Sequence, residues 1–374
     1  MRVLNGIFIT VFMAMLMLPL VFVDLSSDRV SVQENRMLAQ LPRPADINNH
    51  PGTFIRDFDV WFKDSTGFRE RLVALHNVID KNWLNTVWYK EGENLRLIGE
   101  EGHHYFAGQN YRLIPKFQGK QFLTDDQLKN MAEKLEEVKV YLDKQGIPLI
   151  VMFCADKESV YPEFYPKSIK RGPEPIQLDI ITGYLQEHTT VDVFNIRQAL
   201  LAEKNNYLLY PVSGDVVHYT QIGAFFACRE LMKHINKYFP EIIPYELSDV
   251  DIHYDRIGTP DVSFKQEKAY KKRDQSFFND IDYDYNLQSF YEAFENTESG
   301  LPAILFLRDS YAYEHYIGKY IAQHFGKTIM IHWYGIGHIE EYIAKYKPDV
   351  VVFESAEFGL REFANTVAKI PELP

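Results

Sequence analysis

The sequence predicts a layered α/β domain built on a mainly parallel sheet, preceded by a single membrane-spanning helix. Three observations carry that prediction. Short uninterrupted apolar runs, among them "IPLIVMF" from Ile147, Ala303 to Leu307 and "DVVVF" from Asp349, have the pattern of strands covered on both faces. Amphipathic helical stretches separate these runs, and strands alternating with helices imply parallel pairing. The third is the N-terminus. Gly6 to Val23, "GIFITVFMAMLMLPLVFV", contains no charge and is long enough to cross a bilayer core as a helix.

Arg2 and the free amino group precede that span, whereas Asp24 and Asp28 follow it. The positive-inside rule therefore puts the amino terminus in the cytoplasm and the rest of the chain on the periplasmic or extracellular side of the inner (cytoplasmic) membrane. A cleaved signal peptide is the competing reading. "VDLSSDRVS" offers no small-x-small cleavage site, so residues 1–24 are expected to stay as an anchor. Residues 25–51, punctuated by Pro42, Pro44 and Pro51, read as an extended stalk.

Residues 52–374 then form the expected domain. Phe54, Phe58, Trp61 and Phe62 recur at helical spacing, and Phe68, Leu72, Leu75 and Ile79 repeat the pattern. "LRLIGEEGHHYF" from Leu95 reads as a hairpin turning at Glu101 and Gly102. "TDDQ" at Thr124 is a capping box, with Leu128, Met131, Leu135, Val138 and Leu142 as the stripe of its helix and Gly146 as its stop. A helix from about Ile176, the strand "TVDVF" and a helix near Ile196 follow. Further along come Ala303 to Leu307, a helix through Tyr313, Tyr316, Ile317, Tyr320, Ile321 and His324, then "TIMIH", a helix from about Ile339 and the last strand. Residues 240–300, rich in Asp, Tyr, Phe and Lys, break the alternation and read as an insertion over one sheet edge.

A chain of 374 residues with 46% hydrophobic and 25% charged content buries a sizeable core. Its net charge of -12 argues against a nucleic-acid partner, whose phosphates select a basic surface. The two cysteines, Cys154 and Cys228, sit in apolar patterns and read as buried thiols rather than a bridge.

Ser310 falls at the carboxyl end of one predicted strand and the start of a helix, where ligands bind in open parallel sheets and unpaired N–H groups face a developing negative charge. It could equally do no more than cap that helix. A nucleophilic serine needs an imidazole to take its proton and a carboxylate to orient the imidazole. Asp215 and His218, together in one polar turn before a helix, can supply both. The alternative is that Asp215 caps that helix and His218 is solvated.

Six stretches in order, "SVQENRMLAQLP", "WFKDSTGFRERL", "LIGEEGHHYF", "ADKESVYPEFYP", "GDVVHYTQIGA" and "RDSYAYEHYIGKYIAQHF", resemble the AlgJ and AlgX alginate O-acetyltransferase family. The similarity runs from about Glu34 to the C-terminus. That family is similar to the SGNH hydrolases with its motifs in permuted order. The resemblance implies a three-layer SGNH hydrolase-like fold, with Ser310 as nucleophile, His218 as base and Asp215 as orienting acid. It also implies a polysaccharide acceptor, a membrane-bound multispanning acyltransferase as acetyl donor, and neither cofactor nor metal. Two departures stand out. The family more often has its acid two residues before the histidine, where this chain has Val216, and no Gly-x-Asn-Asp string supplies an oxyanion-hole asparagine.

Lys157 and Tyr161 in "ADKESVYPE", with Arg308 and Tyr316 beside the serine, are candidate substrate-binding residues. Solvated loop and core aromatic are the bland readings of the first pair and of Tyr316. Glu354 and Glu357 suggest paired-carboxylate glycosidase chemistry, which would leave the motif series unexplained. His103 with His104, and His332 with His338, lack the carboxylate companions of a metal site. Two functional rivals remain, a carbohydrate acetylesterase with the same triad and a non-catalytic polysaccharide-binding or scaffold protein of an export complex.

Overall fold

The computed structural model describes residues 6, 8, 12–13, 17, 21–23, 30–31, 36–44, 47, 51–66, 87–91, 94–107, 112–255, 258–268, 270–273, 277, 291–296 and 300–374. Most of the apolar span 6–23 and all of the repeat at Phe68, Leu72, Leu75 and Ile79 lie outside them. Among the described residues no helix is long and apolar enough to cross a membrane.

By its contacts the chain divides into Met1–Val87 and Trp88–Pro374. In the first unit Val30–Ser31 (β1) pairs antiparallel with Arg36–Met37 (β2) inside the segment read as a stalk. The aromatic repeat at Phe54 forms a helix, Pro51–Ser65 (α1).

The second unit opens with a small sheet of Val87–Glu91 (β3), Asn94–Ile98 (β4) and His104–Phe106 (β5). β4 and β5 are the expected hairpin. Its turn carries two left-handed residues, Glu101 and Gly102, of which only the glycine is indifferent to that geometry. After Leu113–Phe117 (α2) comes Asp125–Asp143 (α3), whose capping box is present as read: Gln127 N–H donates to Thr124 Oγ1, and Thr124 N–H to Gln127 Oε1. All five stripe residues are buried. Gly146, at φ 71°, ends the turn in the left-handed conformation.

The alternation that follows is Leu149–Cys154 (β6), Lys157–Val160 (α4), Gln177–His188 (α5), Asp192–Asn195 (β7), Arg197–Glu203 (α6) and Gln221–Asn236 (α7). Residues 240–300 contribute Val250–Tyr254 (β8) and Pro260–Phe264 (β9), an antiparallel pair, and then Tyr270–Lys272 (β10) and Glu292–Asn296 (β11). The chain closes with Ala303–Arg308 (β12), Lys319–Ala322 (α8), Lys327–His332 (β13), Ile339–Tyr346 (α9), Val350–Ala356 (β14) and Leu360–Val367 (α10).

The main sheet runs β10-β11-β13-β12-β14-β6-β7. Its five strands from β13 to β7 are parallel, and β11 and β10 extend the β13 edge antiparallel, so the sheet is mixed. Every residue of β6 and β14 is buried. Strands buried on both faces read as continuous apolar runs, which is why the sequence exposed them. β12 lies between β13, which follows it, and β14, reached by crossing back. Strand order therefore reverses at β12, and the carboxyl end of such a switch point opens a crevice in α/β folds.

One predicted element is different. The single helix expected through Tyr313 to His324 is three pieces: a 3-10 turn at Ser310–Ala312, a π turn at Glu314–Gly318 and α8. Tyr313 leaves the helical region at ψ 161°, and its carbonyl accepts from the Gly318 N–H five residues on. The one extra residue per turn changes which face each aromatic presents.

Candidate functional site

β12 ends in register with β13, Arg308 beside His332, and Ser310 stands two residues beyond, half-buried at the sheet's carboxyl edge. The cap of the 3-10 turn is Asp309, whose Oδ1 accepts the Tyr311 N–H at 2.9 Å. The Ser310 hydroxyl is thus not the cap. It lies 2.8 Å from His218 Nε2.

On the other ring nitrogen, His218 Nδ1 is 2.8 Å from Asp215 Oδ2. The three-residue spacing works because Asp215 first folds its own turn, Oδ1 accepting the N–H groups of Val217 and His218 at 3.1 and 3.2 Å. That leaves Oδ2 facing the ring. α7 is capped by Thr220 instead, whose Oγ1 accepts the Gly223 N–H. Burial alone would raise the Asp215 pKa. The hydrogen bond and charge of His218, with the two backbone donors, outweigh it and hold the carboxyl well below the usual carboxylate range.

Aromatic groups fix the imidazole. The Tyr316 ring stacks on His218, centroids 4.9 Å apart, and its hydroxyl donates to Asp215 Oδ2 at 3.0 Å. Burial and the neighbouring carboxylate raise the Tyr316 pKa, so the phenol stays a donor. The irregular turn Glu314–Gly318, in which Tyr316 itself leaves the helical region at φ -115° and ψ -116°, brings the ring here. Tyr311 closes the other side, its hydroxyl donating to the Val217 carbonyl.

Three of the expected substrate-binding residues have internal partners. Arg308 is fully buried, with Nη2 2.9 Å from Glu292 Oε2, Nη1 donating to the Asp309 carbonyl, and its guanidinium over the Tyr313 ring. Lys157 is 1% exposed, and its ammonium donates to the carbonyls of His104, Pro211 and Val212. The Tyr161 hydroxyl donates to the Tyr207 carbonyl and accepts the Leu209 N–H. Lys157 and Tyr161 therefore hold the backbone that leads to Asp215. The reason is their place after β6, under the chain that descends to α7.

Nor do Glu354 and Glu357 form a catalytic pair. Glu354 Oε2 accepts the Asp309 N–H at 3.0 Å, and burial raises its pKa. Glu357 belongs to a buried cluster in which Lys116 Nζ lies 2.5, 3.0 and 3.2 Å from Asp156, Glu357 and Glu158. Both cysteines are free and buried.

Sequence reasoning missed Asp309 and Glu354, which brace the serine from below. Asp309 Oδ2 also accepts the Ala356 N–H at 2.7 Å, tying β12 to β14. The available signal was a pair of carboxylates in otherwise apolar strand ends, "RDS" and "FESAE".

The fold defines the class of this chain, an SGNH hydrolase-like α/β domain with a mixed sheet. Within that class its resemblance to the AlgJ and AlgX family is matched directly: residues 117–248 fit the family model of the SGNH hydrolase-like domain of the acetyltransferase AlgX. That segment includes Asp215 and His218 and ends before Ser310. Two solved structures share the fold. PatB1 of Bacillus cereus, determined with a sulfonyl adduct, superposes with a TM-score of 0.53 at 13% identity over 76% of this chain and 99% of its own. A DHHW family protein from Eubacterium siraeum gives 0.51 at 14% identity, over 75% and 97%. The O-acetyltransferase domain of Pseudomonas putida AlgJ is more distant, with a TM-score of 0.43 at 12% identity over 73% of this chain and 98% of its own. No curated protein matches the chain at a significant level of similarity.

Proposed function

We propose that this chain O-acetylates a cell-surface polysaccharide through a Ser310, His218, Asp215 triad and an acetyl-serine intermediate. The observation that carries the proposal is the unbroken relay from Ser310 Oγ through His218 to Asp215, both steps 2.8 Å, at the carboxyl edge of β12. In the first half-reaction Ser310 Oγ attacks the donor's acetyl carbonyl as His218 Nε2 takes its proton. The Ser310 N–H is the donor proposed for the oxyanion. As the carbonyl re-forms, His218 returns the proton to the departing donor group, leaving acetyl-Ser310. In the second half a sugar hydroxyl loses its proton to His218 and attacks the ester, and Ser310 recovers that proton.

The matching model's description as an acetyltransferase supports acetyl transfer, and a polysaccharide acceptor is what the resemblance of the ordered motifs to the alginate O-acetyltransferase family implies. The same resemblance supplies the donor, a membrane-bound multispanning acyltransferase. The uncharged span Gly6 to Val23 supports anchoring in the inner membrane with the domain outside the cytoplasm.

The test uses the full chain, a chromogenic acetyl ester and added oligosaccharide. Acetylated sugar, lost in Ser310→Ala, is the expected result. Acetate release to water with no sugar product would make the chain an esterase. Glycan binding without turnover would leave a scaffold.

A further inference from the structure

Residues 211–217 have no regular secondary structure, yet they must hold Asp215 and His218 in register with Ser310. Hydrogen bonds from outside the segment reach the carbonyls of Pro211, Val212, Gly214 and Val217. Lys157 donates to the Pro211 and Val212 carbonyls and also to that of His104 in β5. The His104 N–H donates back to the Val212 carbonyl at 2.7 Å, a second link between hairpin and segment. Arg96 Nη1 in β4 donates to the Gly214 carbonyl, also at 2.7 Å, one residue before Asp215. Gly214 itself has φ 86°, so the chain makes a sharp left-handed bend at the point where Arg96 holds it.

From this arrangement we infer that Lys157 and Arg96 are positioning residues, clasping the acid–base turn between α4 and the β4–β5 hairpin. An ammonium has three donors, and Lys157 places all three on carbonyls, which is the chemistry of a strut and leaves none for a substrate. The strut itself is rigidly seated. Its ammonium lies over the Tyr105 ring at 4.9 Å, and the Tyr105 hydroxyl donates to the Tyr161 carbonyl just past α4. Burial lowers the Lys157 pKa to about 7, a cost borne by a group whose removal would free three carbonyls next to the site. The inference rests on the triad reading in that the geometry it maintains is the relay from Asp215 to Ser310.

The test compares Lys157→Met and Arg96→Ala with the unaltered full chain by two readouts. One is kinetics on the chromogenic acetyl ester. The other is the far-downfield proton resonance of His218 Nδ1 bonded to Asp215, assigned by its loss in His218→Gln. Displacing a catalytic group by an ångström costs up to about a hundredfold in rate, so the Lys157 variant should lose at least about tenfold in kcat with KM within about threefold. The His218 resonance should broaden or vanish while cooperative unfolding persists. Arg96→Ala, on a half-buried side chain, should show the same two changes to a smaller degree even where the lysine variant fails to fold. Unchanged kcat, or an unchanged resonance, in Arg96→Ala and in a folded Lys157→Met would overturn the clasp. Absence of the resonance from the unaltered chain would do the same. If the unaltered chain shows the resonance but no ester turnover, the acetyltransferase reading fails while the resonance still decides the clasp.

Discussion

At the residue scale, the site depends on which atom of each polar group is left over after local needs are met. Asp215 Oδ1 is taken by two backbone donors, and only then does Oδ2 serve His218 and Tyr316. Because Asp215 is held below the usual carboxylate range, its contribution to stability is present above about pH 3.9, the unfolded value, and is lost as pH falls through the lower folded one. Asp215→Asn should therefore flatten the acid limb of the unfolding curve, which circular dichroism across pH 5 to about pH 1 would record; an acid limb identical to that of the unaltered chain contradicts the assignment. Tyr316→Phe removes one donor to Oδ2 but keeps the stack on His218. The loss of one hydrogen bond to a charged group, about 1.5–3 kcal/mol, sets the ceiling on its effect, so kcat on the acetyl ester should fall by tenfold to about a hundredfold with KM nearly unchanged. A KM effect without a kcat effect would place Tyr316 on the substrate instead.

At the element scale, strands were legible and the helix after Ser310 was not. β6, β12, β13 and β14 announced themselves because a strand covered on both faces has no polar side to obscure the run. The aromatic repeat from Tyr313 fits a 3.6-residue period on paper, but contacts made across the fold, chiefly Tyr316 on His218, favour one residue more per turn there. Local periodicity carries no record of such distant partners. The same blindness hid Lys157: a lysine after a strand looks like a pocket residue until the descending backbone is seen to surround it. Asp215 and His218 were legible as a pair, whereas the Asp309 and Glu354 bracing was not, since it joins residues 45 positions apart. Loop ends also carry the buried Lys116 cluster, where one cation faces three acids at the ends of β6 and β14 and burial raises the pKa of Asp156 and Glu158. Lys116→Met should destabilise the domain by about 3–5 kcal/mol, since it leaves buried acids without their cation. Chemical denaturation measures this, and a midpoint within error of the unaltered chain would show that the acids are neutral and self-sufficient.

At the scale of the whole molecule, the second unit is an α/β layer structure whose switch point puts the end of β12 under the turn before α7. Two segments far apart in sequence, 215–218 and 308–311, meet there because β12 sits between β13 and β14. The sequence order, acid and base before serine, needs no unusual chain path for that meeting: α7 packs on β6, and β6 is one strand from β12's neighbour β14. The central claim is that Ser310 carries the acetyl group between donor and sugar, and the most direct measurement is peptide mass spectrometry on the full chain quenched shortly after mixing with an acetyl ester. One acetyl group on the peptide containing Ser310, discharged on adding acceptor oligosaccharide and absent in Ser310→Ala and His218→Ala, is the predicted result. An acetyl group carried on another residue, or Ser310→Ala protein that transfers acetyl at an undiminished rate, would contradict it.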